Sequence, residues 1–458
     1  MSSETEDRTP VESFEQLVGW IAAGAKPPEE HRIGTEHEKF PFYTGSLEPV
    51  PYDGEKGIRA LLEGMAEATG WERGFDDGRI VSLKGPDGAG ISLEPGGQFE
   101  LSGAPLETIH ETCAESNQHL AVAREVGGRM GIGFLGMGSS PLWPMDRTPR
   151  MPRSRYEIMR GRLHRTGAYG HDMMHRSTTI QVNLDFTDET DMRRKMQASL
   201  KLQPVAAALF ANSPFTEGRP NGYVTFRSEM WRDVDNQRAG VLPVAYAPDF
   251  GFADYADWAM DVPMFFVVRD GRYVEFDATF RQFMAGELPE DVRERAGQAT
   301  IGDWINHLGF LFPDVRLKRF LEMRGADGGP WRRICALPAL WVGLLYDPTA
   351  LDGAEAMTRD WTADEVSAMR DAVPREGLSA KAPDGRTVHE VARDVLHLAE
   401  RGLAARARLN AAGLDETDFL SPLAEVVAKG RTKAEDLLAR YDGPWGRRIE
   451  PLFEEMAF

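Results

Sequence analysis

Residues 178–186, TTIQVNLDF, alternate without a break. Ile180, Val182, Leu184 and Phe186 fall on one side of an extended chain, and Thr179, Gln181, Asn183 and Asp185 on the other, because successive strand side chains point to opposite faces. A strand that is apolar on one face only belongs in an antiparallel sheet packed on a core from one side. Other segments repeat the pattern. In 33–40 (IGTEHEKF) Glu36 and Glu38 share a face. In 91–94 (ISLE) Ser92 and Glu94 share one; a Pro-Gly-Gly turn follows, and Gln98 and Glu100 then alternate with Phe99 and Leu101. At 224–227, Val224 and Phe226 alternate with Thr225 and Arg227, which reads as another strand. One such polar face alone would be ordinary solvated surface. Several strands offering carboxylates and amides together point to a site built on the face of a sheet.

Helical periodicity surrounds these strands. It is expected over 11–25, over 105–126 with Leu106, Ile109, Cys113 and Leu120 in a stripe, over 190–211, 388–407 and 432–441. A hairpin is expected at 264–276 with Asp270-Gly271 in its turn. The strand signal fades after Trp361. The expected class is α+β: a disordered tail over 1–10, then one catalytic domain over 11–458, of which 361–458 is a mostly helical region packed on the rest.

The balance of 53 basic against 72 acidic residues, −19 net, argues against nucleic-acid binding, which depends on basic surfaces. The uncharged run from Met130 to Met145 holds four glycines and two prolines, so it is not a spanning helix, which needs roughly 20 mostly apolar residues. The start, MSSETEDRTP, has neither the apolar stretch of a signal peptide nor the Arg-rich look of a transit peptide. The expected address is therefore the cytoplasm, with no membrane partner. The two cysteines, Cys113 and Cys335, have no zinc-site spacing and read on their own as reduced, buried thiols.

Glu36, Glu38, Glu94 and Glu100 sit on short strands of the first hundred residues. Gathered carboxylates repel unless a cation neutralises them, and hard oxygen ligands suit Mg²⁺ or Mn²⁺ with substrate phosphates completing the shell. Two basic islands accompany them: six arginines within 150–165, and Arg316, Lys318, Arg319, Arg324, Arg332 and Arg333 within 316–333. Arginine binds carboxylate and phosphate through a planar fork. The stretch Glu322-Met323-Arg324 sets an acid and a base two positions apart, before the turn Gly325-Ala326-Asp327-Gly328-Gly329. There is no Gly-Lys pair for a phosphate loop, no HExxH and no GxSxG. GIGFLG (131–136) has the letters of a dinucleotide fingerprint, but Gly138, Pro141 and Pro144 forbid the helix it must open. A glycine-rich strand or loop is the better reading.

The long motifs taken together resemble the glutamate–cysteine ligases of plants and proteobacteria. They are GTEHEKF (34–40), ISLEPGGQFELSGAPLETIHETCAE (91–115), GFLGMG (133–138), MPRSRYEIMR (151–160), TTIQVNLDF (178–186), LFANSPFTEGRPNGYVTFRSEMW (209–231), RLKRFLEMRGADGGPWRRICALPALWVGLLYD (316–347) and PLFEEM (451–456). The resemblance implies a glutamine-synthetase-like fold, a curved antiparallel sheet of about six strands forming a funnel with helices outside. It implies ligation of the L-glutamate γ-carboxylate to the L-cysteine amine through γ-glutamyl phosphate, with ATP as co-substrate. This is the first step of glutathione biosynthesis, and the alternative is a ligase of the same class with another amine acceptor. It implies Mg²⁺ or Mn²⁺ on Glu36, Glu38, Glu94, Glu100 and Glu322. Substrate is expected on Arg155, Arg227, Trp231 and Gln181, the transferring phosphoryl group on Arg324, and the nucleotide on Arg324, Arg332 and Arg333. A monomer or homodimer is expected. The resemblance also implies a redox-sensitive Cys113–Cys335 bond, worth of order 4–5 kcal/mol in the chain-entropy account when formed, and reduced in a cytosol.

Overall fold

The computed structural model describes residues 5–458. Nine strands form its main sheet: β1 (Ile33–Tyr43), β2 (Glu72–Asp76), β3 (Arg79–Lys84), β4 (Gly90–Leu93), β5 (Phe99–Ser102), β6 (Ile132–Leu135), β7 (Thr179–Leu184), β8 (Val315–Leu317) and β9 (Leu321–Asp327). Their order is β8-β9-β7-β1-β5-β4-β3-β2, with β6 beside the far end of β1. Every pairing among them is antiparallel. The sheet is wider than the six strands expected because β2, β6 and β8 extend it at its margins. GIGFLG supplies β6, as the strand reading required.

The register carries the polar faces into line. Glu36 lies opposite Gln181 and Ser102, and Glu38 opposite Glu100. Glu100 lies opposite Ser92, and Asn183 opposite Glu322. One face from β9 to β4 is therefore carboxylate, amide and hydroxyl. The other face is apolar on β7 and β9, where Ile180, Val182, Leu184, Leu321 and Met323 are all buried, and on β1 it also buries His37 and Lys39.

Nine helices frame this arrangement: α1 (Phe14–Ala22), α2 (Ile109–Met130), α3 (Ser154–Thr166), α4 (Glu189–Leu209), α5 (Phe226–Met230), α6 (Trp331–Leu345), α7 (Ala363–Glu376), α8 (Val388–Arg406) and α9 (Lys433–Asp442). A single apolar cluster runs from β7 and β9 through α4 and α6 to Val388 and Val391 of α8. Named elements after Trp361 are helical throughout. No single helix among the described residues is long and apolar enough to cross a membrane.

Local signals explain where elements begin. α2 starts later than its apolar stripe because Thr108 and Glu111 form a reciprocal cap: the Thr108 hydroxyl accepts from the Glu111 amide at 3.2 Å, and the Glu111 carboxylate accepts from the Thr108 amide at 2.9 Å. The segment 224–227 is not a strand. Thr225 accepts from the Ser228 amide at 3.2 Å and caps α5, and an alternation of four residues is too short to outweigh that cap. The hairpin forms at Phe266–Arg269 and Arg272–Glu275, with positive φ at Asp270 and Gly271. Of the expected disordered tail, residues 1–4 lie outside the described residues. Residues 5–10 are instead held on the fold: Thr5 exchanges hydrogen bonds with the Asn306 side chain, the carbonyls of Asp7 and Thr9 accept from Gly302 and Ile301, and Pro10 bridges to Thr300. A polar composition did not leave this backbone without partners.

Candidate active site

The turn between β4 and β5 sets the edge of the site. Gly97 has φ +84°, and a Cβ built on Gly96 would stand 2.1 Å from the His175 carbonyl. Only glycine fits both positions. The turn places Glu94 beside Gln98, whose amide donates to the carbonyls of Met174 (3.1 Å) and Ser177 (2.8 Å) and so pins the turn to the chain that leads into β7.

Glu36, Glu38, Glu94 and Glu100 all line one open cavity of about 630 Å³, with Gln181, Arg227, Trp231, Arg316 and Arg324. Glu36 accepts from the amides of Asn183 (3.0 Å) and Gln181 (3.4 Å). Glu38 accepts from the Thr179 backbone at 3.0 Å. These are weak compensations for gathered charge. Burial, then the fields of Glu322 and Glu100, hold Glu36 above the ordinary carboxylate range. Burial, then Glu94 and Glu100, hold Glu38 well above it. Burial pushes Glu94 up to about 7.

Glu322 behaves differently. It is fully buried and takes a fork from Arg316, Nε at 2.9 Å and Nη2 at 2.8 Å, with Lys318 at 3.4 Å and Arg324 also in contact. Burial alone would raise it, but Arg316, Lys318 and Arg324 outweigh that and hold it well below its usual value. The fifth expected metal ligand is thus occupied as the anchor of three cations, and it does not line the cavity. Arg316, which that expectation left out, is the partner that satisfies it. Its presence in the basic island of 316–333 was the available signal.

A basic wall closes the cavity. A β-bulge between Met323 and Ala326 inserts an extra residue into β9 and re-aims the chain, so that Arg324 donates to the Gln181 side chain at 2.6 Å. Arg227, on α5, donates to the Arg324 carbonyl at 2.8 Å. Behind it stands Asp327, fully buried, accepting from the Asn212 amide, the Ser213 hydroxyl and the Thr225 hydroxyl, each at 2.7 Å. Thr225 is the α5 cap and the Ser213 hydroxyl accepts from the Arg227 amide at 3.1 Å, so Asp327 fixes the base of Arg227. Burial lowers Arg227 to about 10, with Asp327 and Glu38 opposing, which leaves it cationic at neutral pH. Trp231 lies under both guanidinium groups, 5.8 Å from each. Arg155, on α3, is buried over the Tyr156 ring, where its charge favours ionised Glu94.

Arg332 and Arg333 stand apart. Arg332 is at the surface, 3.1 Å from Glu425, and Arg333 is buried against Phe210 with its donor on the Leu209 carbonyl at 3.0 Å. Neither lines the cavity, because α6 begins at Trp331 and turns both side chains elsewhere. Asn183, Thr179 and Asp327 join the site without having been singled out. Period-two alternation had already put the first two on the polar face, whereas the contacts of Asp327 cross from β9 to α5 and leave no trace in local pattern.

Among the described residues no three His, Cys, Asp or Glu side chains form a ready metal cage. The donor set fits Mg²⁺ all the same, since that ion is usually held by one or two carboxylates plus substrate phosphates. Raised carboxylates sharing a cavity are the electrostatic demand such an ion answers. Cys113 of α2 and Cys335 of α6 are joined by a disulfide that closes a separation of 222 residues, so the reading as two separate thiols does not describe this structure.

The family model for glutamate–cysteine ligase family 2 matches residues 32–455. The chloroplastic glutamate–cysteine ligase of Solanum lycopersicum is 53% identical over 445 residues, covering 97% of this chain and 82% of that protein. That of Arabidopsis thaliana is 51% identical over 445 residues, covering 97% and 83%. A crystal structure of the Francisella tularensis glutamate–cysteine ligase in complex with AMP aligns with TM-score 0.56 at 13% identity, over 90% of this chain and 85% of that one, a likeness of fold. The relatives are named as chloroplastic, which overturns the expected cytoplasmic address.

Proposed function

This chain belongs to glutamate–cysteine ligase family 2, and from that premise we propose how its residues divide the work. The enzyme is an ATP-dependent ligase that joins the γ-carboxylate of L-glutamate to the amine of L-cysteine, the first step of glutathione biosynthesis. A γ-carboxylate oxygen attacks the γ-phosphorus of ATP, the bond to the ADP oxygen breaks, and ADP leaves. The cysteine nitrogen then attacks the acyl carbon of γ-glutamyl phosphate. The carbon–oxygen bond to phosphate breaks, phosphate departs with the electron pair, and the nitrogen loses its proton.

No protein nucleophile is needed, so the protein's part is positioning and charge neutralisation. Glu36, Glu38, Glu94 and Glu100 would hold Mg²⁺. When bound, the ion supplies positive charge where two anions must approach each other. Arg227 and Arg155 take the glutamate α-carboxylate, with Trp231 as the pocket wall. Gln181 holds Arg324, and Arg324 offsets charge on the transferring phosphoryl group. Glu322, with Arg316, keeps Arg324 in place from beneath. Residues 11–458 act as one catalytic unit, as a monomer or homodimer, and the Cys113–Cys335 bond is a redox-sensitive tie between α2 and α6.

The observation that carries this reading is that four carboxylates and the Arg324–Gln181 pair share one cavity. The test is ADP release by reduced protein with ATP, Mg²⁺ and L-glutamate, with and without L-cysteine, and the product identified by mass. Cysteine-dependent ADP with γ-glutamylcysteine is expected. Glutamate-dependent ADP without that dipeptide would move the assignment to another acceptor, and no ADP at all would overturn it.

A further inference from the structure

The wall that carries Arg227, Trp231 and Arg324 is held from behind by a helix far along the chain. α5 is five residues long, and a helix that short takes its orientation from what packs on it. α7 reaches both of its ends. At the first, the Pro374 carbonyl accepts from the Val224 amide at 2.8 Å and from the amide of Thr225, the α5 cap, at 3.3 Å. At the second, Nη2 of Arg370 donates to the Trp231 carbonyl at 3.1 Å. Nε of the same guanidinium donates to the Asp314 carboxylate at 2.8 Å, and the Asp314 carbonyl accepts from the Arg324 amide at 3.2 Å. Asp314 is itself a fixed post. Phe312 and Pro313 pair with Ala239 and Gly240, and the Asp314 amide donates to the Gly240 carbonyl at 2.9 Å. The side chains of Arg370 and Asp314 are only 14% and 17% exposed, so salt and water screen the pair little. Neither lines the cavity of the carboxylates.

We propose that Arg370 is a positioning residue for the reaction: its fork ties the end of α5 to Asp314 and so sets Arg227 and Trp231 against Arg324. The proposal rests on the ligase reading above and deepens it. Arg227 and Trp231 hold one end of glutamate while Arg324 offsets charge where the other end meets the phosphoryl group. The distance between them must therefore match the length of the substrate, and a misplacement of about 1 Å can cost about 100-fold in rate. A planar fork with two donors fixes two partners at once, whereas an ammonium is a point charge that does not. A second pair between the same segments, Arg232 with Asp371 at 2.6 Å, is 31% and 49% exposed and touches no backbone of the wall. It supplies the control.

Arg370→Gln and Asp314→Asn in the full chain should each lower kcat/KM for glutamate about tenfold to 100-fold, with the KM for ATP within about twofold of the parent. Arg370→Lys should behave like Arg370→Gln, and Asp371→Asn should stay within about twofold of the parent. Because Arg370 acts through the wall, adding Arg370→Gln to Arg227→Ala should cost no more than about threefold in kcat/KM for glutamate beyond Arg227→Ala alone. Full multiplication of the two losses would place Arg370 outside the wall and overturn the proposal. Parent kinetics in Arg370→Gln and Asp314→Asn would overturn it too, even with a lowered thermal midpoint, since the pair would then be a staple only. So would an equal rise in the ATP requirement, or parent kinetics in Arg370→Lys. Asp314→Asn, which keeps side-chain volume, decides the question if Arg370→Gln does not fold. Failure of the parent chain to make γ-glutamylcysteine would instead count against the ligase reading itself.

Discussion

The two faces of β1 bury charge to opposite ends. Glu36 and Glu38 point into the cavity and keep part of their surface, whereas His37 and Lys39, the alternate residues, are 0% exposed against α2 and β5. Lys39 donates to the Phe99 carbonyl at 3.0 Å, and burial lowers it to about 7. His37 and His119 are held well below their usual value by burial and by Lys39. The back face meets burial by giving up charge. On the front face burial holds Glu36, Glu38 and Glu94 above the ordinary carboxylate range, while Glu100, which accepts from the Ser92 hydroxyl, is held below it. A few residues away Glu322 shows what a carboxylate on this sheet becomes when cations are supplied: depressed, forked by Arg316 and closed to solvent. The comparison teaches that Glu36 and Glu38 keep raised carboxylates on the cavity for something that arrives, and that the back-face groups are structural.

The sharpest way to break this distinction is Glu36→Gln. Turnover should fall by about 100-fold or more with the thermal midpoint nearly unchanged, and undiminished turnover at saturating Mg²⁺ would count against a ligand role. Arg227→Ala should raise the glutamate requirement about 100-fold and the ATP requirement far less, since it removes a charge-assisted carboxylate contact; steady-state kinetics in both substrates would show equal effects if the role is wrong. Lys39→Met should leave activity within a few-fold. Its signature is in stability. With a folded value near 7 and an unfolded value near 10.4, the unfolded parent binds one more proton between those pH values, so parent stability relative to the Met variant should rise with pH across that window. Denaturant midpoints at pH 7 and 10 would show no divergence if Lys39 were charged in the fold.

A smaller effect is expected in metal binding. Glu94 near 7, with Glu36 and Glu38 also raised, hold protons that a metal must displace, so apparent Mg²⁺ affinity should weaken as pH falls below about 7. Glu94→Gln should flatten that dependence, and a parent affinity constant from pH 6 to 8 would contradict it. Cys113→Ser should abolish the mobility shift between oxidised and reduced protein and cost the oxidised form about 2–5 kcal/mol. A shift that survives would need another cause.

Much of the front face was legible in the sequence because it depends on one local rule. Period-two alternation fixed the shared face of Glu36, Glu38, Gln181 and Asn183, and the glycine turn fixed Glu94 beside Gln98. What alternation cannot encode is which cation meets which anion. Glu322 has the same spacing signal as a ligand, and only the β8–β9 pairing, which sets Arg316 opposite it, shows that its oxygens are taken. Arg332 and Arg333 lie off the cavity for a related reason: a charge run says nothing of the helix that disperses it. At 224–227 a four-residue alternation competed with a Thr cap and lost. The disulfide rested on resemblance, since two cysteines 222 residues apart carry no local evidence of contact.

The claim that the front face is built for a cation can be tested directly by titrating the protein with Mn²⁺ in the presence of ATP and following free ion by electron paramagnetic resonance. The parent chain and Lys39→Met should bind Mn²⁺ alike, and Glu36→Gln should lose bound ion or bind it at least tenfold more weakly. Unchanged stoichiometry and affinity in Glu36→Gln, or a loss in Lys39→Met equal to that in Glu36→Gln, would contradict the separation of the two faces.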